Sequence, residues 1–219
     1  MHIYQLPISL YSFKLRLALK LKGLDIELRD PPGGSYRSPD NLAINPAGTI
    51  PALIDDDLML TETDSIIEYL EDRRLGTALF PSDLKARARM RMLSRWVDLR
   101  LEAAIRSLFG HVAPVGRKPE IVASADKRIT ESLVLIESAM DEAGPFMLGE
   151  KPGMADCGLF AGLCWLDALR RPLALAAMPG ARMARMVAAM TADPRVASEI
   201  GAYRPLLAAW VAAKTAPAD

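Results

Sequence analysis

The sequence is poor in the residues that metal and disulfide chemistry need: of 219 residues, two are cysteine and two histidine. Cys157 and Cys164 are seven positions apart. On one helix their Cα atoms would stand roughly 10.5 Å apart, beyond the about 7 Å that a disulfide spans, so both read as buried free thiols. His2 and His111 lie far apart, and neither has a cysteine or acidic cluster at ligand spacing nearby, so no metal is expected. An excess of either charge is also missing. The 27 Lys and Arg residues balance 27 Asp and Glu, which leaves no net field to draw a polyanion, and no nucleic-acid partner is expected. No run of about 18 apolar residues occurs, and Met1 to Leu10 carries no basic region ahead of its apolar residues. These absences predict a soluble, cytoplasmic protein with no membrane partner. There is no internal repeat.

What is present is the composition of a packed protein, 51% hydrophobic and 25% charged, with enough chain for one large or two small domains. Alanine divides it: 5 of the first 80 residues against 28 of the remaining 139. Because alanine is the best helix former, the second part reads as all-helical. The first part carries strand signals at His2 to Leu6, Ile26 to Arg29, Ala52 to Ile54 and Leu58 to Leu60, with a turn at Asp55 to Asp57. A helix is expected over Ser12 to Lys22, stopped by Gly23, and another over Thr63 to Arg74, stopping near Gly76. The stretch Asp30 to Asn45 between them reads as irregular. At 100° per residue the first helix is apolar on two sides, with Arg16 and Lys20 on its main polar strip, as suits a helix held between a sheet and a second domain.

From Ser82 onward the pattern predicts about five helices, with breaks at 110–119, 144–153, 171–180 and Asp193-Pro194. In the first of them Met90, Leu93, Val97, Leu101, Ala104 and Leu108 form an apolar stripe, and Glu102 and Arg106 are spaced as an i,i+4 pair. Trp96, Trp165 and Trp210 read as core anchors, His111 as the end of a helix, and the last residues, TAPAD, as a loose tail.

Three places could carry chemistry. Ser9, Leu10, Tyr11 and Ser12 fall between the first strand and the first helix, where unpaired N–H groups and the helix dipole favour a thiolate, phosphate or carboxylate. In Thr49-Ile50-Pro51, proline opens a strand; a cis bond there would turn the Ile50 amide and carbonyl outward to pair with an extended peptide. Glu62 and Thr63 open a helix and together suit an amino-acid head group, the acid facing an ammonium and the hydroxyl and N–H groups facing a carboxylate. Taken singly, each has a plainer reading: a Ser12 cap, a trans proline, a solvated acid.

In this order and spacing, YSFKLRLALKLKG (Tyr11 to Gly23), TIPAL and TETDSIIEYL resemble the glutathione transferase family, bacterial-like and of serine type, over the whole chain. The resemblance implies a two-domain fold: a thioredoxin-like βαβαββα glutathione-binding domain (1–76), a linker (77–84) and an all-helical domain (85–219). It implies a cytoplasmic homodimer in detoxification chemistry, with glutathione as substrate or cosubstrate, a small hydrophobic electrophile as partner, and no metal. Ser9 matches the catalytic residue, with Tyr11 and then Ser12 as alternative hydroxyl donors. Thr49, Ile50 and Pro51 would pair with the cysteinyl part of glutathione, and Glu62 and Thr63 would hold its γ-glutamyl end. Arg37 or an arginine of the helix from Lys85 to Leu108 would receive the glycine carboxylate. An isomerase of the maleylacetoacetate type and a noncatalytic binding protein of the same fold are the alternative activities. Oxygen stands at both positions where a Cys-x-x-Cys would give disulfide exchange. One departure is Gly153-Met154-Ala155-Asp156, where the family has serine or threonine in place of glycine.

Overall fold

A computed structural model describes residues 1–216; Pro217 to Asp219 of the expected tail lie outside the described residues. The N-terminal domain runs β1 (His2–Tyr4), α1 (Leu10–Lys22), β2 (Glu27–Arg29), α2 (Pro39–Ile44), β3 (Ala52–Asp55), β4 (Leu58–Leu60) and α3 (Thr63–Asp72). The strands form one sheet in the order β2-β1-β3-β4. β1 pairs parallel with β2, Ile3 opposite Leu28, and antiparallel with β3, Ile3 opposite Leu53. The Asp55 to Asp57 turn lets β4 fold back on β3, Leu53 opposite Leu60. This is the expected thioredoxin-like order. The stretch expected to be irregular is not wholly so: a 3-10 turn at Pro32–Gly34 leads to α2, whose N-cap is Ser38 and whose first residue is Pro39, a pairing that suits a helix start.

The helical region consists of α4 (Leu84–Trp96), a π-helical segment Val97–Glu102, α5 (Ala103–Arg106), a 3-10 turn Phe109–His111, α6 (Pro119–Ser138), α7 (Met154–Leu173), α8 (Ala181–Ala192) and α9 (Ala197–Thr215). The backbone stays right-handed helical where α4, the π segment and α5 meet. They form one rod, and the described residues hold five main helices, as the pattern predicts. α7 extends past Arg171 to include Pro172 in its last turn.

Helix α1 lies at the centre. Phe13 stacks on Tyr203 of α9 with ring centroids 3.7 Å apart, and Leu15, Leu17, Leu19 and Leu21 are all buried. The polar strip is narrower than the sequence implies. Lys20 is exposed, but Arg16 is buried, its guanidinium donating to Gln5 Oε1 at 2.7 Å, Pro7 O at 3.0 Å and Glu199 Oε2 at 2.8 Å. After α3 the chain turns at Gly76. There φ is +66°, and a Cβ would come within 2.2 Å of Lys22 O, so only glycine fits. Half-buried Glu71 fastens this turn, accepting from Lys22 Nζ at 2.6 Å and from the amide of Leu79 at 3.1 Å.

Glycine at position 153 also has a packing reason. A Cβ there would lie 2.3 Å from Met90 Cε and 3.0 Å from Leu79 O, so a serine cap would require the end of the Met90 side chain to move and the Leu79 carbonyl to give slightly. Asp156 does the capping from within the helix, accepting from Gly153 N at 2.9 Å and Met147 N at 2.8 Å. Cys157 and Cys164 are free, the first buried and the second only partly so; burial pushes both thiols up, Cys164 to about 12. No helix among the described residues is long and apolar enough to cross a membrane.

Candidate active site

Ser9, not Ser12, is the N-cap of α1. Its backbone is extended, and its Oγ accepts from Ser12 N at 3.3 Å. Ser12 is buried and its Oγ accepts from Leu6 N at 3.4 Å; it does not line the cavity described below. No acidic residue sits in the first turn of α1, so the chain supplies no local charge to neutralise the positive end of its dipole.

The Ile50-Pro51 bond is cis. Buried Asn45 donates through Nδ2 to Thr49 O at 2.7 Å and holds the approach to the proline. Neither the N–H nor the C=O of Ile50 has a hydrogen-bond partner among the described residues. Glu62 adopts φ +63° and ψ 112°, a conformation that costs a residue with a Cβ and that persists only where the surroundings impose it. Thr63 is buried, and its Oγ1 has no partner.

These three places border one cavity of about 410 Å³, and Ser9, Tyr11, Thr49, Ile50, Pro51, Glu62 and Thr63 all line it. The facing wall comes from the helical region: Asp98 and Glu102 of the π segment, Arg95 and Arg106 on either side of it, and Phe109, Trp165 and Trp210. The last three pack together, with centroids 4.5 to 5.4 Å apart. Trp165 donates to Tyr203 OH at 2.7 Å. The tryptophans at 165 and 210 are thus anchors, as expected, and also cavity wall. His111 lies in the turn that follows α5 and does not line the cavity.

The two hydroxyls nearest the cavity differ in what they are free to do. Tyr11 OH donates to Glu102 Oε2 at 2.9 Å, while Glu102 Oε1 accepts from Arg106 at 2.6 Å. The Arg106 guanidinium stands 5.1 Å from the centre of the Tyr11 ring. Burial, and then the Glu102 charge, hold the Tyr11 phenol far above its ordinary value. Its proton is therefore committed to Glu102. Ser9 Oγ accepts from the backbone and keeps its own proton to give.

Sequence reasoning missed the charges beneath this wall. Lys14 is fully buried, and its Nζ contacts Asp64 Oδ1 at 2.6 Å, Asp98 Oδ2 at 2.8 Å and Ser94 Oγ at 3.2 Å. Burial alone would lower the ammonium's pKa, but Asp98 and Asp64 outweigh it and hold Lys14 above its ordinary value. Burial raises Asp98 against the opposing pull of Lys14. The cluster ties Asp64, next to Thr63, to the rod of the helical region. A signal was present: Lys14 shares its helix face with Ala18 and Leu21 at i+4 and i+7, an apolar stripe where a lone charge needs a buried partner. At the cavity Arg37 and Arg95 are exposed and make no ion pair among the described residues.

A sheet of this order joined to a helical bundle, with a cavity between them opening on a helix N-terminus and a cis-proline, defines a thioredoxin-like binding domain carrying a second, helical wall. Residues 3–77 match the model of the glutathione S-transferase N-terminal domain. The maleylacetoacetate isomerase of Pseudomonas aeruginosa is 34% identical over 198 residues, covering 86% of this chain and 91% of that protein. Glutathione S-transferase 1 of Dianthus caryophyllus is 28% identical over 160 residues, covering 71% and 72%. A maleylacetoacetate isomerase of Methylobacterium extorquens AM1, solved with bound malonate and glutathione, is 27% identical with a TM-score of 0.74, covering 93% of this chain and 97% of that one. The chain belongs to the glutathione transferase family and is an enzyme of that family, with glutathione as its cosubstrate.

Proposed function

We propose that the chain binds glutathione in the 410 Å³ cavity and activates its thiol at Ser9 for attack on a hydrophobic electrophile. The observation that carries this reading is the set of unpartnered groups around the cavity. Buried Thr63 Oγ1 and the free Ile50 backbone are what a carboxylate and an extended peptide would satisfy, and each would otherwise cost free energy. Glu62 offers the charge that an ammonium needs, and Arg37 or Arg95 receives the glycine carboxylate. The division into domain 1–76, linker 77–84 and domain 85–219, the homodimer and the cytoplasmic location belong to the same reading.

The energetics are sufficient. Lowering a thiol from about 8.5 to about 6.5 requires roughly 2.7 kcal/mol in favour of the thiolate. A hydrogen bond from Ser9 to an anion contributes about 1.5–3 kcal/mol, and the amide end of α1 about 0.3–1. The thiolate sulfur then forms a bond to the electrophilic carbon, which expels a leaving group or passes its electron pair to an adjoining acceptor. Holding both reactants in one cavity supplies the remaining advantage.

A second reading has its own support. Arg95 faces the cavity from the helical side and Arg37 from the other, and two cations without an ion pair there suit a substrate that carries a carboxylate beside the glycine end of glutathione. Several relatives are maleylacetoacetate isomerases. In such a reaction the thiolate adds to a cis-alkene diacid, the new single bond rotates, and elimination releases the trans-alkene and glutathione. Incubation with glutathione and either an aryl halide or maleylacetoacetate separates the two readings. Stoichiometric loss of free thiol with the first supports the transferase, and isomerisation with no loss of thiol supports the isomerase. No glutathione binding by calorimetry at millimolar ligand refutes both.

A further inference from the structure

The turn that carries Ser9 into α1 is held from the far end of the chain. Pro7 is exposed, and Ile8 and Ser9 are half-buried, so packing alone does not fix this turn and its backbone groups would otherwise pair with water. Instead the peptide unit joining Ile8 to Ser9 is pinned at both edges. Its carbonyl, Ile8 O, accepts from Tyr203 OH of α9 at 3.0 Å, and its amide, Ser9 N, donates to Leu6 O at 3.0 Å. The preceding carbonyl, Pro7 O, accepts from Arg16, whose guanidinium also holds Glu199 of α9. Glu199 and Tyr203 are four residues apart and share a helix face. That face of α9 therefore reaches both carbonyls ahead of Ser9, one through Arg16 and one directly. On the other side of the residue, Ser9 O accepts from Phe13 N at 2.9 Å.

The direction of the Tyr203 hydrogen bond is fixed by chemistry. Trp165 Nε1 donates to Tyr203 OH at 2.7 Å, and an indole nitrogen can only donate, so the phenol proton goes to Ile8 O. A hydroxyl that accepts one hydrogen bond gives its own more strongly. Burial holds the Tyr203 phenol above its ordinary value, which keeps that proton in place. The ring is itself locked, 1% exposed and stacked on Phe13. Trp165 lines the cavity at Ser9 but Tyr203 does not, so an effect of Tyr203 on the reaction must pass through its neighbours.

We infer that Tyr203 is a positioning residue: with Trp165 behind it, its hydroxyl fixes the peptide plane between Ile8 and Ser9, and with it the direction in which Ser9 Oγ presents its proton to the glutathione sulfur. This role rests on Ser9 being the donor to the thiolate. Tyr203→Phe removes no charge: Glu62, Asp98, Glu102, Arg37, Arg95 and Arg106 around the cavity and Arg16 beside the ring all stay, so a shift at the thiol reports geometry. The test is the ultraviolet titration of bound glutathione thiol in the full chain, its Ser9→Ala and Tyr203→Phe variants, and the double variant. Tyr203→Phe should raise the thiol pKa by roughly half a unit to one unit, less than Ser9→Ala does. The rate should fall about three- to tenfold below the wild-type thiol pKa and recover above the shifted one, with KM for glutathione nearly unchanged. Added to Ser9→Ala, Tyr203→Phe should shift the thiol no further, because no hydroxyl is left to aim. Trp165→Phe combined with Tyr203→Phe leaves no indole donor stranded and serves if the single variant does not fold. A wild-type thiol pKa in Tyr203→Phe while Ser9→Ala is shifted, or additive shifts in the double variant, overturns the positioning role and leaves Ser9 as donor. An unshifted thiol in Ser9→Ala overturns the Ser9 assignment, and this role with it.

Discussion

Replacing Ser9 by alanine removes two interactions at once, and the geometry allows them to be read separately. As N-cap, Ser9 Oγ accepts a long hydrogen bond of 3.3 Å from Ser12 N, so its loss should fall toward the low end of the 0.5–2 kcal/mol range for caps. As donor to a bound thiolate it would contribute about 1.5–3 kcal/mol, or roughly one to two pKa units. The first effect is read from denaturant unfolding of the free protein. The second is read from ultraviolet absorbance of the thiolate of bound glutathione across a pH series. Ser9→Ala should lose about 0.5–1 kcal/mol of stability, raise the apparent pKa of the bound thiol by one unit or more, and move the acid limb of the rate profile upward equally. Ser9→Thr, which keeps the hydroxyl, should recover most of both. An unchanged thiol pKa in Ser9→Ala, with a shift in Tyr11→Phe instead, would show that the donor had been assigned to the wrong residue.

The remaining expectations concern the charges around the site. Tyr11→Phe should leave the bound thiol's pKa in place, cost about 1.5–3 kcal/mol because Glu102 loses a donor, and alter KM for the second substrate; calorimetry and steady-state rates check it. Lys14→Met should cost about 3–5 kcal/mol, since it strands Asp64 and Asp98 without a counter-charge. In that variant the folded state binds protons that the unfolded chain does not until lower pH, so stability should recover as pH falls from 7 toward 5. A urea midpoint equally depressed at both pH values would count against the buried cluster. Burial pushes Asp156 up to about 6 in spite of its two backbone hydrogen bonds, against about 3.9 unfolded. The native state therefore takes up a proton first, and the stability of the wild type relative to Asp156→Asn should rise as pH drops through about 6 toward 4. Thermal unfolding across that range measures it, and parallel curves would refute it.

Strands and long helices were legible because each carries its own pattern. β4 and the starts of β3 and α3 fall where the sequence places them. Helix α2 was not: six residues are too few to display a 3.6-residue period, and only Ser38-Pro39 marks its start. The burial of Arg16 could not be read either, because its partner Glu199 is 183 residues away. Gly153 reads from sequence as a weakened cap, and only the positions of Met90 and Leu79 show that a side chain there would have to displace the end of Met90. At the candidate site, sequence order and spacing pointed to Ser9, Ile50-Pro51 and Glu62-Thr63. The choice between hydroxyls, however, depends on Glu102, which approaches Tyr11 from a helix 91 positions away.

Helix α1 belongs to the first domain by chain order but to both by its electrostatics: Lys14 reaches Asp98, and Arg16 reaches Glu199. Grafting the helical half of a relative onto this N-terminal half would leave Lys14 with Asp64 as its one acid and Arg16 with only the neutral acceptors of Gln5 and Pro7, unless the donor happens to carry acids at the matching points. Shuffling these two halves therefore requires exchanging α1, or at least its positions 14 and 16, together with the helical half, and any recombination point placed at the connecting segment alone is drawn in the wrong place.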